Sequence, residues 1–101
     1  MIRLIITADD ELYDRLAHRA QAEGDTPRRA DNVLDGLKRA MTGSPGLIMV
    51  DMALRSADTL LETLHSRRET TSIPLLAVTA SGRLPFELHR LCAAVLEVET
   101  L

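Results

Sequence analysis

Short runs of aliphatic residues alternate with longer amphipathic segments along this chain. The clearest runs are Ile2–Thr7, Leu47–Val50 and Ile73–Val78, each four to six residues long. They are too short for stable helices, and the continuous apolar run Leu47–Val50 is typical of a strand covered on both faces. A fourth run, Ala93–Val98, follows near the end of the sequence. Strands that alternate with helices predict a parallel sheet with right-handed crossovers and helices on both faces.

The segments between these runs have the spacing of amphipathic helices. Leu12, Leu16 and Ala20 recur at intervals of four residues, and Gly24 is well placed to end that helix. Because residues four apart lie on one side of a helix, these side chains are expected to face the sheet. Three further helices are expected, beginning at Asp31 or Asn32, covering residues 56–69, and beginning at Pro85.

The segment 25–30 has the weakest pattern in the chain. It is predicted to form a short second strand, and Pro27 would confine that strand to an edge of the sheet because proline cannot donate a backbone hydrogen bond. The predicted fold is therefore α/β, a doubly wound parallel sheet with the flavodoxin-like order 2-1-3-4-5. The 101 residues are expected to form a single domain, 1–101, since this length supports one core.

Composition and charge exclude several classes of protein. The net charge is −3 and the basic residues form no cluster larger than a pair, which argues against a nucleic-acid partner. Only two aromatic residues, Tyr13 and Phe86, could stack on bases. No apolar run is long enough to span a membrane, and the N-terminus has no signal-peptide pattern. We therefore expect a cytoplasmic protein without a membrane or nucleic-acid partner.

Polar residues follow three of the predicted strands at the point where each strand ends. Asp9 and Asp10 follow the first strand, Asp51 the third and Thr79 the fourth. In the order 2-1-3-4-5 these strands are neighbours, so their end residues are expected to meet in one pocket. Three carboxylates in one pocket repel each other, and Mg²⁺ would relieve that repulsion. The alternative is that these residues only cap helices and form turns.

On these residues the chain resembles the receiver domain of bacterial two-component response regulators. The matching segments are LIITADDEL at the first strand, GLIMVDMALRSAD at the third and SIPLLAVTAS at the fourth. The resemblance extends from Ile2 to about Val98. Its most specific parts are the position of Asp51 and the segment IPLLAVTA.

The resemblance implies a role for each residue at the strand ends. Asp51 would accept a phosphoryl group from a histidine kinase, and the hydroxyl of Thr79 would contact that group. Asp9 and Asp10, with Asp51 and the backbone carbonyl of Ala53, would hold Mg²⁺, which neutralises charge on the phosphoryl oxygens. The chain would then be a receiver-like signalling domain, not an enzyme. It would act by contact with a histidine kinase or another signalling protein.

The chain also departs from the family pattern. The lysine that ends the fifth strand in the family is replaced by Glu97 or Val98, and the switch aromatic of that strand by Val95. Arg83, in the loop after the fourth strand, could replace the lysine as the positive charge of the site, although a guanidinium has a different geometry from an ammonium group. Because few residues follow the last predicted strand in this sequence, we expect no fifth helix after it. The resemblance is therefore to an atypical receiver.

Without a fifth helix, part of one sheet face would be uncovered. The last strand has two sets of alternating residues: Val95, Glu97 and Glu99 on one face, and Ala94, Leu96 and Val98 on the other. We expect the two glutamates on the uncovered face. A residual apolar patch beside them would favour a homodimer.

Two further functions are open from the sequence. One is an interaction or dimerisation module that does not depend on phosphorylation and does not respond to Mg²⁺. The other is a small metal-dependent phosphohydrolase with Asp51 as nucleophile. Such an enzyme needs a second acid–base carboxylate and a segment that covers the substrate, and the sequence offers neither.

Overall fold

The computed structural model describes the whole sequence, Met1–Leu101. The strands are β1 (Ile2–Ile6), β2 (Thr26–Ala30), β3 (Leu47–Asp51), β4 (Leu75–Thr79) and β5 (Ala94–Glu97). The helices are α1 (Asp10–Ala22), α2 (Val33–Thr42), α3 (Ala57–Ser66) and α4 (Phe86–His89), and a 3₁₀ turn covers Val98–Thr100. All strand pairs are parallel, in the order β2-β1-β3-β4-β5. This confirms the predicted fold class and strand order, and no α-helix follows β5.

The central strands are buried on both faces, which explains their continuous apolar runs. Leu4 and Ile6 face the larger part of the core, under α2, α3 and α4, while Ile5 faces α1 on the opposite side. The same alternation places Ile48 and Met49 of β3 on opposite faces. Alternate side chains of a strand therefore contribute to two separate apolar layers.

The helix ends follow the local sequence signals. The side chain of Asn32 accepts a hydrogen bond from the backbone N–H of Asp35 at 2.8 Å, which caps α2. Gly24 follows α1 with a φ of +86°, a conformation that glycine adopts without strain. None of the four α-helices combines the length and the apolar character that crossing a membrane requires.

The second strand differs from expectation in its length. β2 has five residues, as many as β1, β3 and β4, and the shortest strand is β5, with four. All five residues of Thr26–Ala30 are in register with β1, which is the only neighbour of this edge strand. Pro27 lies at this sheet edge as predicted, where its missing N–H interrupts no ladder on the outer side.

The expectation that the glutamates lie on the uncovered face is wrong for Glu97, and Glu99 belongs to the 3₁₀ turn after the strand. In the parallel register of β4 and β5, Leu96 is paired with Val78 and Glu97 with Thr79. Leu96 therefore shares the face of α1, and Glu97 lies on the opposite face. That register, which the sequence pattern of β5 does not determine, leaves a partly exposed aliphatic strip beside α1.

Candidate active site at the strand ends

The carboxyl ends of β1, β3 and β4 border a single pocket of about 340 Å³. Its polar lining consists of Asp9, Asp51, Thr79 and Arg83, and Ala53 lies beside them. Apolar residues complete the wall: Leu12, Met52, Ala80, Leu84 and Val98. Of the residues predicted from the sequence, Asp9, Asp51, Ala53 and Thr79 are thus brought together, and Asp10 is not.

Asp51, the last residue of β3, is held by two hydrogen bonds. Its Oδ2 accepts from the hydroxyl of Thr7 at 2.7 Å, and its Oδ1 accepts from the backbone N–H of Ala53 at 2.9 Å. The side chain lies at the bottom of the pocket, since Asp51 is only 8% exposed. These bonds fix the orientation of the carboxylate, and each oxygen keeps a further lone pair for a ligand.

Thr7 is the residue of this site that the sequence reasoning missed. It follows β1 directly, is fully buried, and its hydroxyl oxygen also accepts a hydrogen bond from the backbone N–H of Asp9 at 3.1 Å. A neutral hydroxyl, and not a carboxylate, therefore faces Asp51 from the end of β1. The available signal was its position as the first polar side chain after Ile6.

Asp9 and Asp10 have different surroundings, although they are adjacent in sequence. Oδ1 of Asp9 accepts a hydrogen bond from the backbone N–H of Leu12 at 3.1 Å and caps α1, while the residue also borders the pocket. Asp10 is 88% exposed and pairs with Arg29 of β2 at 2.9 Å. Asp9 is the N-cap of α1 with an extended backbone, whereas Asp10 is the first helical residue, and only Asp9 is among the residues that border the pocket. The structure therefore does not place Asp10 with the other predicted metal ligands.

Thr79, the last residue of β4, has a hydroxyl with no hydrogen-bond partner. The residue is only 8% exposed, and its Oγ1 is inaccessible to solvent. Buried polar atoms without a partner are rare in native proteins and need an explanation. The hydroxyl borders the same pocket as Asp51, so a group bound to Asp51 could supply the missing partner.

Neither residue expected at the position of the family lysine, Glu97 or Val98, carries a positive charge. Val98 forms part of the pocket wall, and Glu97, one residue earlier, is paired with Thr79 in the sheet. The positive charge at the pocket comes instead from Arg83, in the loop between β4 and α4. Its guanidinium forms no ion pair with any residue of the chain.

The donors at the pocket are compatible with Mg²⁺ that is bound together with a phosphate. Asp9 and Asp51 supply two carboxylates and Ala53 a backbone carbonyl. Mg²⁺ commonly binds one or two carboxylates and completes its shell with water and phosphate oxygens. No group of three or more His, Cys, Asp or Glu side chains is arranged to hold a metal ion. The set fits Mg²⁺ but is sparse.

Comparison with known proteins relates the chain to others through its fold. No protein-family model matches the sequence, and no curated protein matches it significantly. The structure is similar to a receiver domain of a response regulator from Methylobacillus flagellatus, with a TM-score of 0.86, 17% identity, and coverage of 96% of this chain and 85% of that one. It is also similar to the N-terminal domain of a response regulator receiver protein from Methanoculleus marisnigri, with a TM-score of 0.84, 19% identity, and coverage of 95% and 82%.

A third similar structure is the response regulator TrrA from Thermotoga maritima, which was solved in complex with Mg²⁺ and BeF. Its TM-score is 0.83 at 15% identity, and the match covers 95% of this chain and 84% of that one. At such identities the similarity establishes the fold. The protein has the CheY-like fold of response regulator receiver domains.

Proposed function

We propose that this protein is an atypical receiver-type signalling module in which Asp51 accepts a phosphoryl group. The observation that carries the proposal is the hydroxyl of Thr79, which is buried without a partner in the pocket of Asp51. A phosphoryl oxygen on Asp51 would accept a hydrogen bond from that hydroxyl. The proposal therefore accounts for an otherwise unsatisfied polar atom.

The chemical step is a transfer from an acyl phosphate or a phosphohistidine to the carboxylate of Asp51. An oxygen of Asp51 forms a bond to phosphorus, and the bond between phosphorus and the leaving oxygen or nitrogen breaks. The leaving group takes that electron pair, as acetate does from acetyl phosphate. The hydrogen bonds from Thr7 and Ala53 hold the carboxylate in position for an in-line attack.

Asp9, Asp51 and Ala53 are the residues that would hold Mg²⁺ in this site. When bound, Mg²⁺ would neutralise charge on the phosphoryl oxygens. Because Thr7 faces Asp51 where a further carboxylate could stand, we expect binding of Mg²⁺ to be weak in the absence of phosphate. Asp10 has no part in this site.

The partner in this proposal is a histidine kinase or another signalling protein. The module would act through protein contact, at the loops around Asp51 and Thr79 or at the α4–β5 region. Val95 stands where the family's switch aromatic would be, so the phosphorylated state would be read through changes in the pocket loops themselves.

The test is intact-mass spectrometry of the protein after incubation with Mg²⁺ and acetyl phosphate. We expect an adduct with the mass of one phosphoryl group on the parent, and none on Asp51→Asn or after chelation of Mg²⁺. Asp58→Asn is the matched control, since Asp58 is an exposed aspartate in the first turn of α3. It should be labelled like the parent.

The two alternative functions, an interaction module and a phosphohydrolase, predict different results in this experiment. A folded parent that forms no adduct would contradict the proposal and favour an interaction or dimerisation module that is independent of phosphorylation. Steady hydrolysis of a chromogenic phosphate ester, lost in Asp51→Asn, would instead favour a phosphohydrolase.

A further inference from the structure

We infer that Arg83 binds the oxygens of a phosphoryl group on Asp51, so that the cation of this site comes from the loop after β4. This inference rests on the proposed function and adds a residue to it. Arg83 is the only basic residue that borders the pocket, and it lies there with Asp51 and Thr79. Val98, which directly follows β5, also borders the pocket, but its side chain has no donor for a phosphoryl oxygen.

The conformation of the loop between β4 and α4 places Arg83 at the pocket. Gly82 has a φ of +73°, and a Cβ at this position would lie 3.2 Å from the Cβ of Glu97. A residue with a side chain would therefore be strained and would also push the loop away from β5. Next along the chain, the backbone N–H of Arg83 donates to the hydroxyl of Ser81 at 3.2 Å. Leu84 then packs against the main core and anchors the other end of the turn.

The charges around the pocket leave the guanidinium free for a ligand. Arg3, Arg29 and Arg39 form ion pairs and Arg15 donates to backbone carbonyls near the C-terminus, so these four side chains are engaged elsewhere. Arg83 has no such partner, and its side chain is exposed at the mouth of the pocket. A phosphoryl group on Asp51 would add negative charge beside Asp9, and Arg83 would offset that charge.

The loop from β4 to α4 would then supply two different contacts to one group. Thr79 offers a buried hydroxyl from the strand end, and Arg83, four residues later, offers a planar fork of N–H donors. A guanidinium can bind two oxygens of a phosphoryl group at once, whereas an ammonium binds as a point charge. The two contacts together would tie the loop to the phosphorylated residue.

The experiment measures adduct yield and adduct lifetime for the parent, Arg83→Ala and Arg83→Lys, with Mg²⁺ and subsaturating acetyl phosphate. Arg90→Ala is the matched control, because Arg90 is an exposed arginine at the end of α4 that does not border this pocket. We expect Arg83→Ala to lower the yield about three- to tenfold, since the contact is charge-assisted but partly screened by solvent. Arg83→Lys should be intermediate, and Arg90→Ala should match the parent.

The outcomes separate this inference from the proposed function. If the parent is labelled at Asp51 and Arg83→Ala retains the parent's yield and lifetime, Arg83 does not bind the phosphoryl group, while the proposed function stands. If no variant is labelled, the parent included, both are overturned. Thermal unfolding of each variant establishes that a lower yield does not reflect loss of the fold.

Discussion

The hydroxyl of Thr7 donates a 2.7 Å hydrogen bond to Oδ2 of Asp51, across the boundary between β1 and β3. Thr7 is fully buried and Asp51 is only 8% exposed, so loss of this bond would leave polar atoms in a position with little access to water. The contact combines two effects. It holds the carboxylate in one orientation, and it supplies a neutral partner where a second carboxylate would have raised the local negative charge.

Removal of the Thr7 hydroxyl should destabilise the protein through Asp51. Thr7→Val leaves Oδ2 of Asp51 without its buried donor, so we expect the free energy of unfolding to fall by about 1–3 kcal/mol. Urea denaturation of Thr7→Val, Asp51→Ala and the double variant measures the coupling between the two residues. Thr70→Val is the control: its hydroxyl is equally buried but donates to the backbone carbonyl of Leu64. Additive effects of the Thr7 and Asp51 changes would contradict the prediction.

A carboxylate at position 7 should convert the site into a stronger Mg²⁺ site. Thr7→Asp places a second negative charge against Asp51, which costs stability unless a divalent cation lies between them. We expect this variant to melt below the parent without metal and to gain more than the parent on addition of Mg²⁺. Thermal unfolding with Mg²⁺ or with a chelator measures the difference. Ca²⁺ and Na⁺ controls distinguish site binding from general salt effects, and an equal response of variant and parent would refute the idea.

Much of this site was predictable because it follows from strand order. Asp51 and Thr79 each follow an apolar run, and adjacent parallel strands place such residues at one edge of the sheet. Asp10 lies outside the pocket because α1 begins at this residue, while Asp9 is the N-cap. The sequence pattern predicts the start of a helix only to within a few residues, so it does not distinguish the two aspartates. Thr7 was harder to find, because threonine has high strand propensity and its one signal, its place as the first polar side chain after Ile6, is equally consistent with β1 itself.

The orientation of β5 was not predictable for a different reason. Ala94–Val98 carries aliphatic residues in both alternating sets, so either face could have been the buried one. Pairing of Leu96 with Val78 decides the question, and that is a property of the register with β4.

Gly36 should be intolerant of even the smallest side chain. It lies in α2 against β1, where a Cβ would be 2.7 Å from Cδ1 and 2.9 Å from Cγ2 of Ile6. Alanine favours a helix over glycine, yet we expect Gly36→Ala to lower the free energy of unfolding by about 1–3 kcal/mol because the core is overpacked. Ile6→Val removes Cδ1, so the double variant should recover part of the loss. A stabilised Gly36→Ala variant would show that α2 can move away from the sheet.

The ion pair of Arg3 with Asp25 should give the protein a defined acid sensitivity. The hydrogen bond from Arg3 holds the pKa of the Asp25 carboxyl below its ordinary value of 3.8, against the opposing effect of burial. A depressed pKa in the folded state contributes stability above the ordinary value, and that contribution is lost as the pH falls through the folded one. The difference in stability between the parent and Asp25→Asn should therefore be constant from neutral pH to about pH 5 and shrink in stronger acid.

Urea denaturation at a series of pH values measures this difference. Asp35→Asn serves as the control, because Asp35 pairs with Arg39 on the exposed surface of α2 and should change stability little. A difference between the parent and Asp25→Asn that grows as the pH falls below 3.8 would have the wrong sign for this mechanism.

The aliphatic strip beside α1 should promote self-association. Leu47, Leu76 and Leu96 are only partly buried there and border a groove of about 260 Å³. Parallel sheets normally have both faces covered, and here α1 is the only helix on this face. The groove also contains Arg19 and Glu23, so two copies related by a twofold axis could match both apolar surface and opposite charges.

We expect sedimentation equilibrium to show dimers of the parent that increase with concentration. Leu96→Glu should be monomeric, whereas Phe86→Glu, which changes an exposed residue on the other face, should associate like the parent. A parent that stays monomeric at high concentration would contradict the prediction.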